Sequence, residues 1–180
     1  MPREKFEHEL QRLKDEILAL GAMAESVRAL KERDTAKAHI EIATELEPIA
    51  DYAKGIANVT LALSEEPLIK PLEAIPRMAD KACDMLHRAL DSFMRQDVEE
   101  ARGIPPEDME VDSLYEQTCR ELITIMISDP QTTYQANRLT WVAHNLERSA
   151  DRVGNICERI VFSITGHGEE LDGPLLQGQP

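Results

Sequence analysis

Four side chains with oxygen atoms recur along one stretch near the carboxyl end of the chain. Glu147, Asp151, Asn155 and Glu158 follow one another at intervals of four, four and three residues. On an α-helix these positions fall within about 80° of arc, on the side opposite the apolar residues of the same stretch. Divalent cations of the hard and borderline classes prefer oxygen ligands. The stripe is therefore a candidate metal site on the outer surface of a helix.

Acid pairs with a similar spacing occur at two other places. Glu47 and Asp51 repeat the first two acids of that stripe 100 residues earlier, and Asp108 and Asp112 form another pair four residues apart. Like charges at this spacing repel on a helix by a few tenths of a kcal/mol. A single pair is common on a solvated face, and recurrence at equivalent positions makes a metal site an equally good interpretation. A purely structural bundle with solvated acidic faces stays open as an alternative.

The elements that position these acids are predicted to be helices. Only 4% of the residues are aromatic, and apolar residues recur at helical spacing along most of the chain. Pro67, Pro71 and Pro76 mark a linker between two halves. The predicted helices run through residues 6–23, 40–63, 78–93, 107–129 and 132–164. The fold class is therefore all-α.

The two halves of the chain repeat, but the first half is shorter. Residues 42–51 (IATELEPIAD) align with residues 142–151 (VAHNLERSAD), which indicates an internal duplication of a helical unit. Farther upstream the offset falls, so the first unit lacks a segment equivalent to the middle helix of the second. We expect its first and third helices to fuse into one helix from near Glu4 to Leu63, roughly 90 Å long, with at most a kink before Pro48.

A fused helix would leave apolar side chains uncovered in its amino-terminal half. The stripe concerned consists of Phe6, Leu10, Leu13, Ile17 and Leu20. Exposed apolar stripes of this size promote association. We therefore expect a homodimer in which each long helix completes the bundle of the other chain.

Composition argues against several classes of function. The formal net charge of −14 disfavours nucleic-acid partners and anionic membrane surfaces. The sequence has no apolar run of the length that spans a bilayer, so we expect a cytoplasmic protein without membrane insertion. Cys83, Cys119 and Cys157 match no zinc-ligand spacing. A ferritin-like di-iron enzyme would need Glu-x-x-His pairs, and the sequence contains none.

The acid pairs and their neighbours resemble a known family. The LExxxD stretches at residues 46–51 and 146–158 are similar to the E(D)xxxD signatures of the PhoU family, and the similarity extends over most of residues 6–166. Residues 108–115, 126–130 and 164–166 also resemble landmarks of that family. The resemblance implies tandem three-helix-bundle repeats, here a truncated first repeat at 1–66 and a complete second repeat at 72–165. The Gly- and Pro-rich stretch at 166–180 is expected to be a mobile tail.

The resemblance also implies a function and a set of ligands. A PhoU-like protein is expected to be a negative regulator of phosphate uptake and of the phosphate-starvation response. It would act by binding the phosphate ABC transporter ATPase, a sensor histidine kinase or both, and not as an enzyme. An accessory role for another phosphate carrier is the alternative within the family. The implied cofactor is a multinuclear cluster of iron, zinc, manganese or magnesium, held by Asp108, Asp112, Glu147, Asp151, Asn155 and Glu158, with Glu47 and Asp51 in the first repeat.

Overall fold

The described part of the molecule is built from helices alone. The computed structural model describes residues 36–64 and 67–171, and over these residues the all-α prediction is confirmed. The helices are α1 (Ala36–Leu63), α2 (Ala74–Arg95), α3 (Val98–Gly103), α4 (Asp108–Ser128) and α5 (Thr133–Thr165), with 3-10 turns at Pro105–Glu107 and Pro130–Thr132. None of the described helices combines the length and the apolar character that a bilayer crossing requires.

The carboxyl-terminal helix is the centre of the bundle. α5 packs against α1, α2, α3 and α4, and its apolar side is fully buried along its length, as at Ile156 and Ile160. α1 contributes Ile42, and α2 contributes Met78 and Met85, to the same fully buried core. The helix from the first repeat therefore completes the bundle of the second within this chain.

The helix boundaries follow from local chemistry, with two departures from the sequence prediction. The linker ends earlier than expected, because Pro76 lies in the first turn of α2, where proline's missing amide costs no helical hydrogen bond. The short α3 is also new, and its first turn is capped by Asp97, which accepts a hydrogen bond from the Glu100 N–H at 3.1 Å. α5 ends at Gly166 in the left-handed region (φ 74°), a conformation that favours glycine.

The two repeat-equivalent helices, α1 and α5, run antiparallel. Arg152 donates to Glu45 at 2.7 Å, whereas a Cβ placed on Gly55 would lie only 2.4 Å from the Trp141 ring. Later residues of α1 thus meet earlier residues of α5. Ile49 and Ser149, which are equivalent in the repeat, line the same small apolar cavity. The antiparallel crossing therefore brings these two equivalent positions close together.

The predicted fused helix can be checked only in part. α1 is continuous from Ala36 to Leu63 and passes through Pro48 without ending. The upstream portion of the predicted helix, from Glu4, lies outside the described residues, as does the apolar stripe on which the predicted dimer depends.

The start of the predicted tail folds back on the bundle. Arg102 donates from Nη2 and Nε to the Glu169 carboxylate at 2.7 and 2.9 Å, and the Leu171 N–H donates to Glu158 at 3.1 Å. Leu171 packs against the core. Helical periodicity does not predict these contacts, because the residues that make them lie beyond the helices. Residues 172–180 lie outside the described residues.

A buried glutamine fixes the linker to α5. Gln135 is 5% exposed; its Oε1 accepts from the Ile69 N–H at 2.5 Å, and its Nε2 donates to the Pro67 carbonyl at 3.2 Å. Both linker groups would lose these partners if the amide were removed, and a buried polar group without a partner destabilises the folded state. The linker path therefore depends on this one side chain.

We predict that Gln135→Ala lowers the free energy of unfolding by about 2 kcal/mol. Urea unfolding followed by the fluorescence of Trp141, the single tryptophan, measures the change. The exposed Gln131 provides a matched control, since Gln131→Ala removes an amide of the same size that makes no linker contact. Equal stability of the two variants would contradict this role for Gln135.

Candidate metal centre

Three of the predicted ligands meet at the seam between α4 and α5. Asp108 and Asp112 lie on the first two turns of α4, and Asp151 lies on α5. Each offers a carboxylate oxygen, and these three oxygens all lie within 4.8 Å of one another. Among the described residues, this is the one group of three potential ligand side chains gathered so closely.

The hairpin formed by α4 and α5 brings these acids together. Asp129 and the short turn at Pro130–Thr132 join the two helices and reverse the chain. Ala136, Ala143 and Ala150 recur every seven residues on α5 and are 0% exposed, so they form one narrow stripe beside the acids. α4 and α5 pack against each other, and the acids of both helices lie at this contact.

Glu147 extends the cluster by a fourth carboxylate. Its side chain is 20% exposed, and its Oε2 atom is buried and makes no hydrogen bond. The nearest basic group is His144, whose Nδ1 lies 3.5 Å from that atom. Burial, followed by the negative charges of Asp151 and Asp112, raises the pKa of Glu147. A buried carboxylate oxygen without a donor is the atom that a cation at this seam would satisfy.

The charges at the seam are only partly compensated. Burial raises the pKa of Asp112, and the charges of Asp151 and Glu116 raise it further. Arg148 donates to Asp151 at 3.0 Å and is itself on the exposed side of α5. Carboxylate oxygens gathered within 4.8 Å of one another are the type of donor that hard divalent cations take. The chemistry of these residues is therefore compatible with the predicted metal.

The remaining predicted ligands lie elsewhere. Asn155 donates weakly to Glu45 on α1 at 3.5 Å, and Glu158 accepts from the Leu171 amide, so both face other neighbours. Glu47 and Asp51 are exposed on α1, and among the described residues no further carboxylate gathers with them.

Two further features of the site region are not evident from the sequence. His144 lies at the rim of the cluster, with its ring centroid 5.9 Å from that of Tyr115; its spacing of three residues before Glu147 was the only signal. Arg152 donates to Tyr52 at 3.4 Å, and this hydrogen bond is the main cause of the lowered pKa of Tyr52. Tyr52 and Arg152 occupy equivalent positions of the two repeats, and the repeat alone does not predict a contact between them.

A family model matches the helices that build the site. The model described as "PhoU domain" matches residues 75–160. This span begins in the first turn of α2 and ends within α5, so it contains the whole acidic cluster.

Two curated relatives show how the chain compares along its length. The "Phosphate-specific transport system accessory protein PhoU homolog 2" of Thermotoga maritima is 39% identical over 132 residues, which cover 73% of this chain and 56% of that protein. The chain thus spans little more than half of that relative. The "Phosphate-specific transport system accessory protein PhoU homolog" of Clostridium acetobutylicum is 27% identical over 218 aligned positions, covering 96% of this chain and 100% of that protein. The second alignment is longer than the chain itself, so the relative has residues opposite gaps in this sequence.

A solved structure shares the fold. The crystal structure of PhoU from Pseudomonas aeruginosa matches with a TM-score of 0.69 at 23% identity, covering 92% of this chain and 82% of that one. At this identity the match shows a common helical architecture.

We predict that Glu147→Gln stabilises the metal-free protein at neutral pH, by on the order of 1 kcal/mol. A carboxyl whose pKa is raised by folding holds its proton more tightly in the folded state, so its ionisation opposes folding. The penalty is present above the folded-state pKa and disappears as the pH falls through that value towards the ordinary 4.5. The stability difference between variant and wild type should therefore shrink in acid.

Urea unfolding in the presence of chelator, repeated from neutral pH to about pH 4, tests this expectation. The exposed Glu170 supplies the control, since Glu170→Gln should follow the wild type throughout. A Glu147→Gln variant that is no more stable than wild type at neutral pH would show that repulsion at the seam does not oppose folding.

Proposed function

This chain belongs to the PhoU family, and we propose on that premise that it is an accessory protein of phosphate transport that represses phosphate uptake and the phosphate-starvation response. The observation that carries the proposal is the coincidence of the PhoU domain match at residues 75–160 with the helices that bring the acidic cluster together. Relatives are named as accessory proteins of phosphate-specific transport, which supports this assignment.

The protein would act by occupancy, without turning over a substrate. Its direct partner is the phosphate ABC transporter ATPase, the sensor histidine kinase of the response, or both, and its place of action is the cytoplasm. The net charge of −14 favours docking on basic surfaces of such partners.

The seam between α4 and α5 is the proposed metal centre. Asp108, Asp112 and Asp151 would supply carboxylate ligands, with Glu147 at the edge of the site. Iron, zinc, manganese and magnesium all take oxygen ligands of this kind. A bound cation would neutralise the repulsion among the carboxylates. Because these residues lie on two helices, neutralising their repulsion would stabilise the contact between α4 and α5.

The active form is proposed to be a homodimer. The sequence carries an apolar stripe upstream of α1, from Phe6 to Leu20, which a second chain would cover. A dimer would also place two metal centres in one particle, so that each could engage one partner chain.

We predict that Asp108→Asn with Asp151→Asn abolishes metal binding, because two of the three gathered carboxylates lose their charge. Elemental analysis of protein purified without chelator measures the metal content. The matched control is Glu47→Gln with Asp51→Asn, which changes the equivalent pair of the first repeat and should leave the content unchanged. Loss of metal in the control alone would move the centre to α1.

We predict that deleting the gene raises phosphate-responsive transcription when phosphate is plentiful. A reporter gene in the source organism measures the response, and the wild-type gene in trans should restore repression. Complementation with the Asp108→Asn, Asp151→Asn gene then tests whether repression needs the acidic cluster. Unchanged repression in the deletion strain would refute the proposed function, whereas altered uptake of another phosphate compound would indicate a different carrier.

A further inference from the structure

α1 carries a continuous exposed stripe on the side opposite its buried face. Its residues follow one another at alternating intervals of four and three, the spacing that keeps side chains on one face of a helix. We call this set the α1 stripe: Ile40, Thr44, Glu47, Asp51, Lys54, Asn58 and Leu61, all exposed. Its two large apolar side chains are far out in solvent, with Ile40 66% and Leu61 50% exposed.

The described residues of the chain leave this stripe without partners. The opposite face of α1, which includes Ile42, Ile49 and Ile56, supplies its contacts with the core. Within the ranges that the structure describes, neither Glu47 nor Lys54 enters an ion pair. The stripe is thus a charged surface with one exposed apolar side chain at each end. Its charged side chains are accessible to another molecule.

Two copies of the α1 stripe are complementary when they run antiparallel. If two copies are placed antiparallel about Asp51, Ile40 of one copy meets Leu61 of the other, and Glu47 meets Lys54. Thr44 then meets Asn58, so polar residues also face polar residues. Each of these pairs occurs twice in a twofold dimer, as an isologous contact requires. In this one antiparallel register, the apolar residues of the two copies face each other and each Glu47 faces a Lys54.

We infer that the α1 stripe is the surface on which a second copy of this chain docks, antiparallel and about a twofold axis at Asp51. The inference rests on the homodimer proposed above and adds the α1 stripe to the upstream apolar stripe as a contact surface. Charge complementarity favours a second copy as occupant, because an antiparallel α1 stripe presents Lys54 opposite Glu47 and Glu47 opposite Lys54. The small side chain of Ala50, exposed beside the axis, lets the two helices approach closely.

One feature of this arrangement opposes association. The axis brings Asp51 of each copy close together, and like charges that face each other repel. The contact is therefore a balance of two attractive pairs and one repulsive pair. Neutralising Asp51 should tighten the dimer, whereas reversing Lys54 or Glu47 should weaken it.

Sedimentation equilibrium of the full chain tests the contact. We expect Lys54→Glu and Glu47→Lys each to raise the dimer dissociation constant roughly tenfold or more, since two ion pairs become two like-charge pairs. The double variant Glu47→Lys, Lys54→Glu exchanges the charges and should recover wild-type affinity. Asp51→Asn should bind itself more tightly than wild type does. Circular dichroism of each variant establishes that its helices are intact.

Two controls match the changes in net charge. Arg95→Glu and Glu116→Lys alter exposed charges on α2 and α4 and should leave the dimer unchanged. A wild-type monomer at micromolar concentration would overturn both this inference and the homodimer. A dimer that survives the single reversals would overturn the α1 stripe while leaving the homodimer in place. Failure of the double reversal to restore affinity would overturn the antiparallel register.

Discussion

The whole described structure depends on the burial of α5 among the other helices. Ala143, Ala150, Ile156 and Ile160 are 0% exposed, and α5 contacts every other α-helix that the structure describes. A helix enclosed in this way has only a narrow sector left for polar side chains. The acids of α5 lie in that sector, so the packing that stabilises the fold also decides where the candidate metal centre lies.

The sequence predicts most of the helices because their boundaries are set by local signals. The predicted middle and final helices, 107–129 and 132–164, agree with α4 and α5 to within a residue. Proline and glycine mark those ends, and apolar periodicity marks the buried faces. The sequence also indicates that Asp108, Asp112 and Asp151 are candidate ligands, since each belongs to a recurring acid pair.

The features that the sequence does not predict depend on contacts between distant residues. Glu158 shares the helical arc of Asp151, yet it binds the amide of Leu171 because the chain folds back after α5. Asn155 faces Glu45 because α1 crosses α5 close by. A helical wheel describes directions around one axis, and it contains no information on which neighbour occupies each direction. Asn155 and Glu158 therefore lie on the predicted helix, but their hydrogen-bond partners are on α1 and beyond the end of α5.

The charges on the two sides of α4 are balanced differently. Burial alone would raise the pKa of Glu107, but hydrogen bonds from Lys81 and Arg88 lower it, so the acid at the start of α4 is firmly paired. One residue later the chain enters the seam, where burial and neighbouring acids raise the pKa of Asp112.

The repeated motif shows that surroundings decide what an acid pair does. Glu147 and Asp151 lie beside the acids of α4, where burial and mutual repulsion make them suited to a cation. Glu47 and Asp51 have the same spacing but lie on an exposed face of α1, where water screens their mutual repulsion. The duplicated pair thus keeps its position on the helix but not its chemical environment.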